Sequence, residues 1–260
     1  MASNARVGAV ELRAIAGLPM VKPGDDLAGL IADGLAKAGL TPQADDVIVL
    51  AQKIVSKAEG RIVDLASVVP SPRAIELAKE VEKDPRLVEL ILSESVRVVR
   101  NRPNVLIVQH KLGFIMANAG IDQSNVAPQD GVERALLLPK DPDGSAATLR
   151  AALGKRYGVE PAVLIIDSFG RPWRRGTTGV AIGAAGLPAM IDLRGNPDLF
   201  GRILQVSITA FADEIAAAAS LVMGQGDESQ PVVLVRGLTW KAPALPVSEL
   251  VRPQGEDLFR

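Results

Sequence analysis

The segment Ile165-Ile166-Asp167-Ser168-Phe169-Gly170-Arg171-Pro172-Trp173-Arg174-Arg175-Gly176 constrains this chain more than any other. Its apolar lead-in, Ala162 to Ile166, has the length and β-branched content of a buried strand, and it delivers a carboxylate and a hydroxyl to the strand's end. Beyond them the chain turns basic at Arg171, Arg174 and Arg175. Carboxylate plus hydroxyl is hard-oxygen chemistry suited to Mg2+ or Mn2+, and arginines suit the phosphates or carboxylates of a polyanion. A strand closing in a solvated Asp-Ser turn is the competing reading, at even weight from this segment alone.

Two further segments tilt that balance. Phe114 to Val126 runs from an apolar strand into small and polar residues, with a carboxylate at Asp122 and an amide at Asn125. Met223-Gly224-Gln225-Gly226-Asp227-Glu228-Ser229-Gln230 follows an alanine-rich helix and precedes a strand, and its glycines allow close backbone approach to a ligand. Three such loops in one chain point to a convergent, oxygen-rich site.

The remaining pattern predicts the elements around them. Val47 to Ala51 reads as a buried strand entering Gln52-Lys53-Ile54-Val55-Ser56-Lys57. Pro72 opens a helix through Val81 capped by Ser71, and Asp84-Pro85 opens another with Leu87, Leu90, Ile91 and Leu92 at helical spacing. Val105 to Gln109 and Leu112 to Ala117 read as a hairpin. Asp143-Gly144-Ser145 leads into a helix through Lys155. Thr178 to Ala185 is a strand, Thr209 caps a helix over Phe211 to Val222, and Pro231 to Val235 is a late strand. Strands adjacent in sequence with clustered helices predict a mixed α+β fold, largely antiparallel, rather than a doubly wound parallel sheet.

Composition narrows the function. With 260 residues the chain can bury a large core as one domain, 1–260, or two intimate subdomains. Aromatics are only 3%, so Leu, Val, Ile and Ala must build it. A net charge of -1 gives no reason to expect nucleic acid or membrane partners, and the absence of cysteine excludes disulfides, zinc thiolates and a cysteine nucleophile. Neither a signal peptide nor a membrane span is visible, so a cytoplasmic location is expected. No G-x-x-x-x-G-K-[S/T] or strand-borne G-x-G-x-x-G occurs. His110, the only histidine, falls at the hairpin, where a surface or structural role outweighs that of a general base.

Gly17-Leu18-Pro19 with Gly24-Asp25-Asp26, Ile54 to Arg61, Asn118 to Val126, Leu138 to Ala146, Asp167 to Gly176, Ala212 to Ala216, Leu221 to Gly224 and Val235 to Leu238 form an ordered set of blocks across the chain. In these blocks the chain resembles the coenzyme F-420-0:L-glutamate ligases, GTP-dependent γ-glutamyl ligases of a deazaflavin cofactor pathway. The resemblance implies a non-P-loop γ-glutamyl ligase fold without the C-terminal reductase-like domain of some relatives. It implies that Asp122, Asp167, Ser168 and Gln225 hold two divalent ions, Mg2+ or Mn2+, with K+ a further candidate ion. It implies nucleotide contacts at Leu18, Pro19, Met20 and Val21, at Gln52, Lys53, Lys57 and Asn125, and at Met223, Gly224, Gln225, Gly226, Asp227, Glu228, Ser229 and Gln230. Lys57 takes the place of a P-loop lysine and stands with Asp122 and Asp167 as catalytic. Where this chain has Gln52 and Lys53, the family often has hydroxyl residues. The bland alternative for Lys57 is a solvated lysine at a strand end.

The reaction so implied joins a carboxylate of F-420-0 to the amine of L-glutamate. The γ-phosphoryl group of GTP makes an acyl phosphate, and the amine displaces phosphate to give a γ-glutamyl amide. Phosphoryl transfer of this kind rests on metals, in-line positioning and cationic stabilisation. A homodimer is implied too, with the small-residue faces of Ala212 to Ala219 and Thr178 to Leu187 as its sequence support. Two rival classes stay open: a metal-dependent phosphotransferase or phosphatase on another small acid, and a non-catalytic nucleotide-binding module.

Overall fold

The structure, a computed structural model, describes residues 8–124, 126 and 131–257. In chain order the elements begin β1 (Glu11–Ala14), α1 (Leu27–Lys37), β2 (Val47–Ala51), α2 (Gln52–Ala58), β3 (Ile62–Asp64), α3 (Pro72–Val81) and α4 (Pro85–Ser93). There follow β4 (Ser95–Arg102), β5 (Val105–His110), β6 (Ile115–Ala117), β7 (Arg134–Leu136), α5 (Pro142–Tyr157) and β8 (Ala162–Gly170). The last are β9 (Thr177–Ala185), β10 (Ile191–Asp192), β11 (Ile208–Thr209), α6 (Phe211–Met223) and β12 (Val232–Arg236). The fold is mixed α+β with mostly antiparallel sheets.

A five-stranded sheet, ordered β1-β12-β2-β8-β9, carries the molecule. β2 and β8 run parallel, and every other neighbouring pair is antiparallel. The unbroken apolar runs in β2 and β8 are explained by burial on both faces. Ile48, Leu50, Val163 and Ile165 pack with Ile31 and Leu35 of α1 and Leu149 and Leu153 of α5. On the other face Val47, Val49, Leu164 and Ile166 meet Ala212, Ile215, Ala216 and Ala219 of α6. Aliphatic side chains fill both layers, as scarce aromatics require. At Gly179 a side chain would strike the backbone oxygen of Ala216, so a missing Cβ sets how closely α6 lies on β9.

A second group of elements has its own core. α3 and α4 pack through Ala78, Val81, Val88 and Ile91 on Leu106 and Val108 of β5, beside Ala135 and Leu137. Here β4-β5-β6 form one antiparallel sheet and β3-β7 another. The Ser71 hydroxyl accepts from Ala74 N at 3.3 Å and Asp84 accepts from Arg86 N at 2.7 Å, so both expected helix starts are capped by side chains.

Several expectations need correction. Gln52 to Lys57 is a helix, not a strand extension, so Lys57 sits in the last turn of α2 and is buried. The strand from Ala162 continues to Gly170, because β9 pairs with it through Gly170↔Thr177; Asp167 and Ser168 thus lie within a ribbon and not in a turn. α5 starts one residue ahead of Asp143, capped by the Asp141 carboxylate. Thr209 is in β11, and the cap of α6 is Ala210, which supplies no side-chain bond. His110 is buried, with Nδ1 accepting from Leu112 N at 2.9 Å, which leaves the structural half of its reading. The alanine face expected to support a dimer packs inside the subunit, against β9.

Candidate functional site

Strand register assembles the site. β2 and β8 are parallel with Ala51 opposite Ile166, so their next residues, Gln52 and Asp167, emerge at one level of the sheet. β12 is antiparallel to β2, so the loop entering it, Met223 to Gln230, arrives at the same end; Ala51 N donates to Pro231 O at 2.8 Å. β1, antiparallel to β12, leaves at that end and leads to Leu18 to Val21. Loops from four strands converge where the two parallel strands end, the customary position of ligand clefts in such sheets.

They enclose a cavity of about 320 Å³. Leu18 to Val21, Gln52, Lys53, Lys57, Asp167, Ser168 and all of Met223 to Gln230 line it. Asp122 is not among the lining residues; it is brought in from the second group of elements. Its backbone bridges to Leu136, with N–H···O distances of 3.0 and 2.8 Å, and its carboxylate lies 2.7 Å from Lys53 Nζ. The ammonium also donates to Ser124 Oγ at 2.8 Å, and that hydroxyl donates to Asp122 at 2.7 Å. Lys53 thus links α2 to the Asp122 loop. Asn125 lies outside the described residues.

The two carboxylates have opposite electrostatics. Burial pushes Asp122 up, but the Lys53 ammonium and the Ser124 hydroxyl and amide outweigh it and hold the carboxyl below its ordinary range. Burial, reinforced by the charge of Asp122, pushes Asp167 up to about 6 against the Ser168 amide and Lys53. Burial, then the nearby Lys53 charge, lowers the pKa of Lys57. Gln52 is buried, its amide oxygen accepts from Ser56 Oγ at 2.9 Å, and its Nε2 has no hydrogen-bond partner among the described residues. A cavity wall thus holds an amide donor ready for an acceptor atom.

The donor set fits a hard divalent ion. Asp167 is held above its ordinary range partly by Asp122, and a cation between them would relieve that repulsion; Ser168 and Gln225 are further oxygen-bearing residues of the cavity wall. No cluster of three or more His, Cys, Asp or Glu side chains with metal spacing occurs among the described residues, so waters and phosphate oxygens must complete any shell. Around the loop, Gly226 N donates to Glu228 at 2.8 Å, and a side chain at Gly224, where φ is 76°, would strike the Glu228 carboxylate.

Residues 16–237 match the family model described as F420-0:Gamma-glutamyl ligase. The chain belongs to that family. It is 46% identical over 253 residues to the coenzyme F420:L-glutamate ligase of Methanothermobacter thermautotrophicus, covering 96% of this chain and 99% of that protein. It is 44% identical to the same-named protein of Methanopyrus kandleri, with 92% and 93% covered, and 42% identical to that of Methanocaldococcus jannaschii, with 94% of each covered. In this family member, a second cavity of about 920 Å³ adjoins the first across the β8–β9 ribbon. Phe114, Phe169 and Trp173 line it together with Arg97, Arg100 and Arg252, a grouping that sequence reasoning missed. The signal was faint: three of the few aromatics, all in segments already singled out for their carboxylates. Among the described residues no helix is long and apolar enough to cross a membrane.

Proposed function

We propose that this chain is a ligase that joins L-glutamate to F420-0, using GTP and an acyl phosphate. Membership of the family and the printed names of its relatives support the ligase reading. The observation that carries the GTP reading is one cavity collecting Leu18 to Val21, Gln52, Lys53, Lys57 and Met223 to Gln230 beside Asp167. Such a cavity offers an apolar slot, amide donors and two ammonium groups to a nucleotide without a P-loop.

Asp122, Asp167, Ser168 and Gln225 would hold two divalent ions, Mg2+ or Mn2+; when bound, they neutralise phosphate charge and bring acceptor and γ-phosphate together. K+ is a further candidate ion at the same oxygen-rich end. Lys57, buried in the cavity wall, supplies a charge to the phosphates. Lys53, which neutralises Asp122 in this structure, moves to phosphate oxygens when that carboxylate is engaged. The Gln52 amide donates to the nucleotide, and Asn125 completes its contacts.

In the first step an acceptor carboxylate oxygen bonds to the γ-phosphorus and the bond to the bridging oxygen breaks, releasing GDP. In the second the glutamate amine attacks the acyl carbon, phosphate leaves, and the amine nitrogen loses a proton to give the amide. Holding both reactants in line contributes most of the acceleration. With the ions bound, Asp167 would stay ionised as their ligand beside the γ-phosphate.

We read residues 1–260 as one ligase unit working as a homodimer. The subunit surface supplies a better reason for a dimer than α6 does: the arm between β10 and β11 exposes Leu199, Phe200 and Val206 almost completely. The test of function is incubation with GTP, L-glutamate, a divalent ion and F420-0, followed by mass analysis. An amide product with one GDP per bond is expected. Phosphate release without amide would indicate a phosphatase instead, and nucleotide binding without turnover a binding module.

A further inference from the structure

We propose that the larger cavity, between Phe114, Phe169 and Trp173 and the arginines Arg97, Arg100 and Arg252, binds the acceptor acid as a flat ring system with an anionic tail. The assignment rests on the ligase reading above. Its first support is shape and chemistry. At about 920 Å³ the cavity lies within the ~300–1,000 Å³ usual for small-molecule sites. Its wall combines tilted Phe114 and Phe169 rings, 6.2 Å between centroids, with three guanidinium groups. Aromatic faces take a planar ring, and arginines take carboxylate or phosphate oxygens two at a time.

Trp173 gives the second support. Its side chain is 89% exposed, and its backbone adopts φ 65°, a left-handed conformation that a bulky residue rarely holds. An indole held in solvent on a strained backbone has no role in the core. At the lip of this cavity it can close over a ring.

Position relative to the first cavity gives the third. Asp167 and Phe169 are two residues apart on β8, so their side chains leave the same face of the strand, separated by roughly 7 Å along it. On the neighbouring strand Gly179 lines the first cavity, and Val180 and Ala181 line the second. One ribbon is therefore the common wall. A ring seated on Phe169 places a carboxylate borne on its tail within reach of Asp167 and the γ-phosphate. Asp213, which accepts from Ala181 N at 2.9 Å, and Asp257 also border this space, so three guanidinium groups stand against two carboxylates and the balance favours an anion.

Fluorescence anisotropy of F420-0 with the full chain, without nucleotide, tests the assignment. Trp173→Ala and Arg100→Glu, both at exposed positions, should each raise the acceptor Kd by about tenfold or more, through loss of stacking and of a charge-assisted contact. GTP affinity measured by calorimetry should be unchanged in both, which also verifies that they are folded. Wild-type acceptor affinity in both variants overturns the assignment, as does failure of the wild-type chain to bind F420-0. If the variants lose acceptor binding but the wild type forms no amide, the cavity assignment stands and the ligase reading falls. If amide forms and both variants bind normally, the reverse holds.

Discussion

Asp122 and Asp167 show how little a residue's type says about its state: one carboxyl is held low by Lys53 and Ser124, the other is raised to about 6 by burial. Asp167→Asn and Asp122→Asn preserve shape but remove charge at the phosphates. Each should keep the thermal midpoint within a few degrees and lower kcat by roughly a hundredfold or more, as expected when several kcal/mol of charge stabilisation is lost. Near-wild-type kinetics at low metal concentration would remove that residue from the site. Lys57→Ala should weaken GTP and ATP alike by roughly 1.5–3 kcal/mol in calorimetry if, as proposed, it meets the phosphates and not the base. His110 yields a prediction about stability. Burial lowers its pKa below 6.5, against the pull of Glu94, whose carboxylate lies 3.9 Å from Nε2. The unfolded chain therefore binds the proton first, so stability is fully present above about pH 6.5 and falls as the pH drops below it. Denaturant midpoints between pH 7.5 and 5.5 should show this decline, and His110→Gln should flatten it. A decline of equal size in the variant would assign it to other groups. The two carboxylates stood out in the sequence because they follow apolar runs, and Lys57 only through the family resemblance; Lys53 as a link to Asp122 did not, because the two are far apart in the chain.

At the scale of elements, helices with Pro at the first turn and an Asp or Ser cap were readable, because their signals are local. α2 was not, since seven residues with Ile and Val near the centre look like strand until packing decides. β8 was cut short at its first carboxylate, because its continuation depends on β9, a partner no local pattern reveals. β9 is an edge strand, and two helices protect it: Asp213 accepts from Ala181 N at 2.9 Å, and Asp143 from Ala184 N at 2.8 Å. Asp143 also accepts from Val247 N at 2.9 Å and Ser248 N at 3.3 Å, so one carboxylate fastens α5, the edge and the C-terminal segment. Asp143→Ala leaves these amides without a partner. It should cost about 2–4 kcal/mol, seen as a fall of roughly 5–12 °C in Tm, with GTP affinity little changed. A Tm within 2 °C of wild type would mean that water replaces the carboxylate.

For the whole molecule, the fold class was legible from the ordering of strands and helices, but the convergence of four loops was not. It arises from the parallel pairing of β2 with β8, strands between which the chain builds α2 to α5 and two small sheets. The alanines of α6 offered as support for a dimer are packed in the core, whereas Leu199, Phe200 and Val206 of the β10–β11 arm are exposed. Light scattering at micromolar concentration should give a dimer mass, and Leu199→Asp with Phe200→Asp should give a monomer; a fully active wild-type monomer would defeat the dimer. The central claim is that phosphate from one cavity is transferred to a carboxylate presented from the other. It is tested most directly with F420-0 whose reacting carboxylate carries oxygen-18 in both positions, in single turnover with GTP and L-glutamate. Transfer through an acyl phosphate leaves one labelled oxygen in the amide and puts the other into inorganic phosphate, which becomes two mass units heavier. Unlabelled phosphate, with amide formed, would contradict the account.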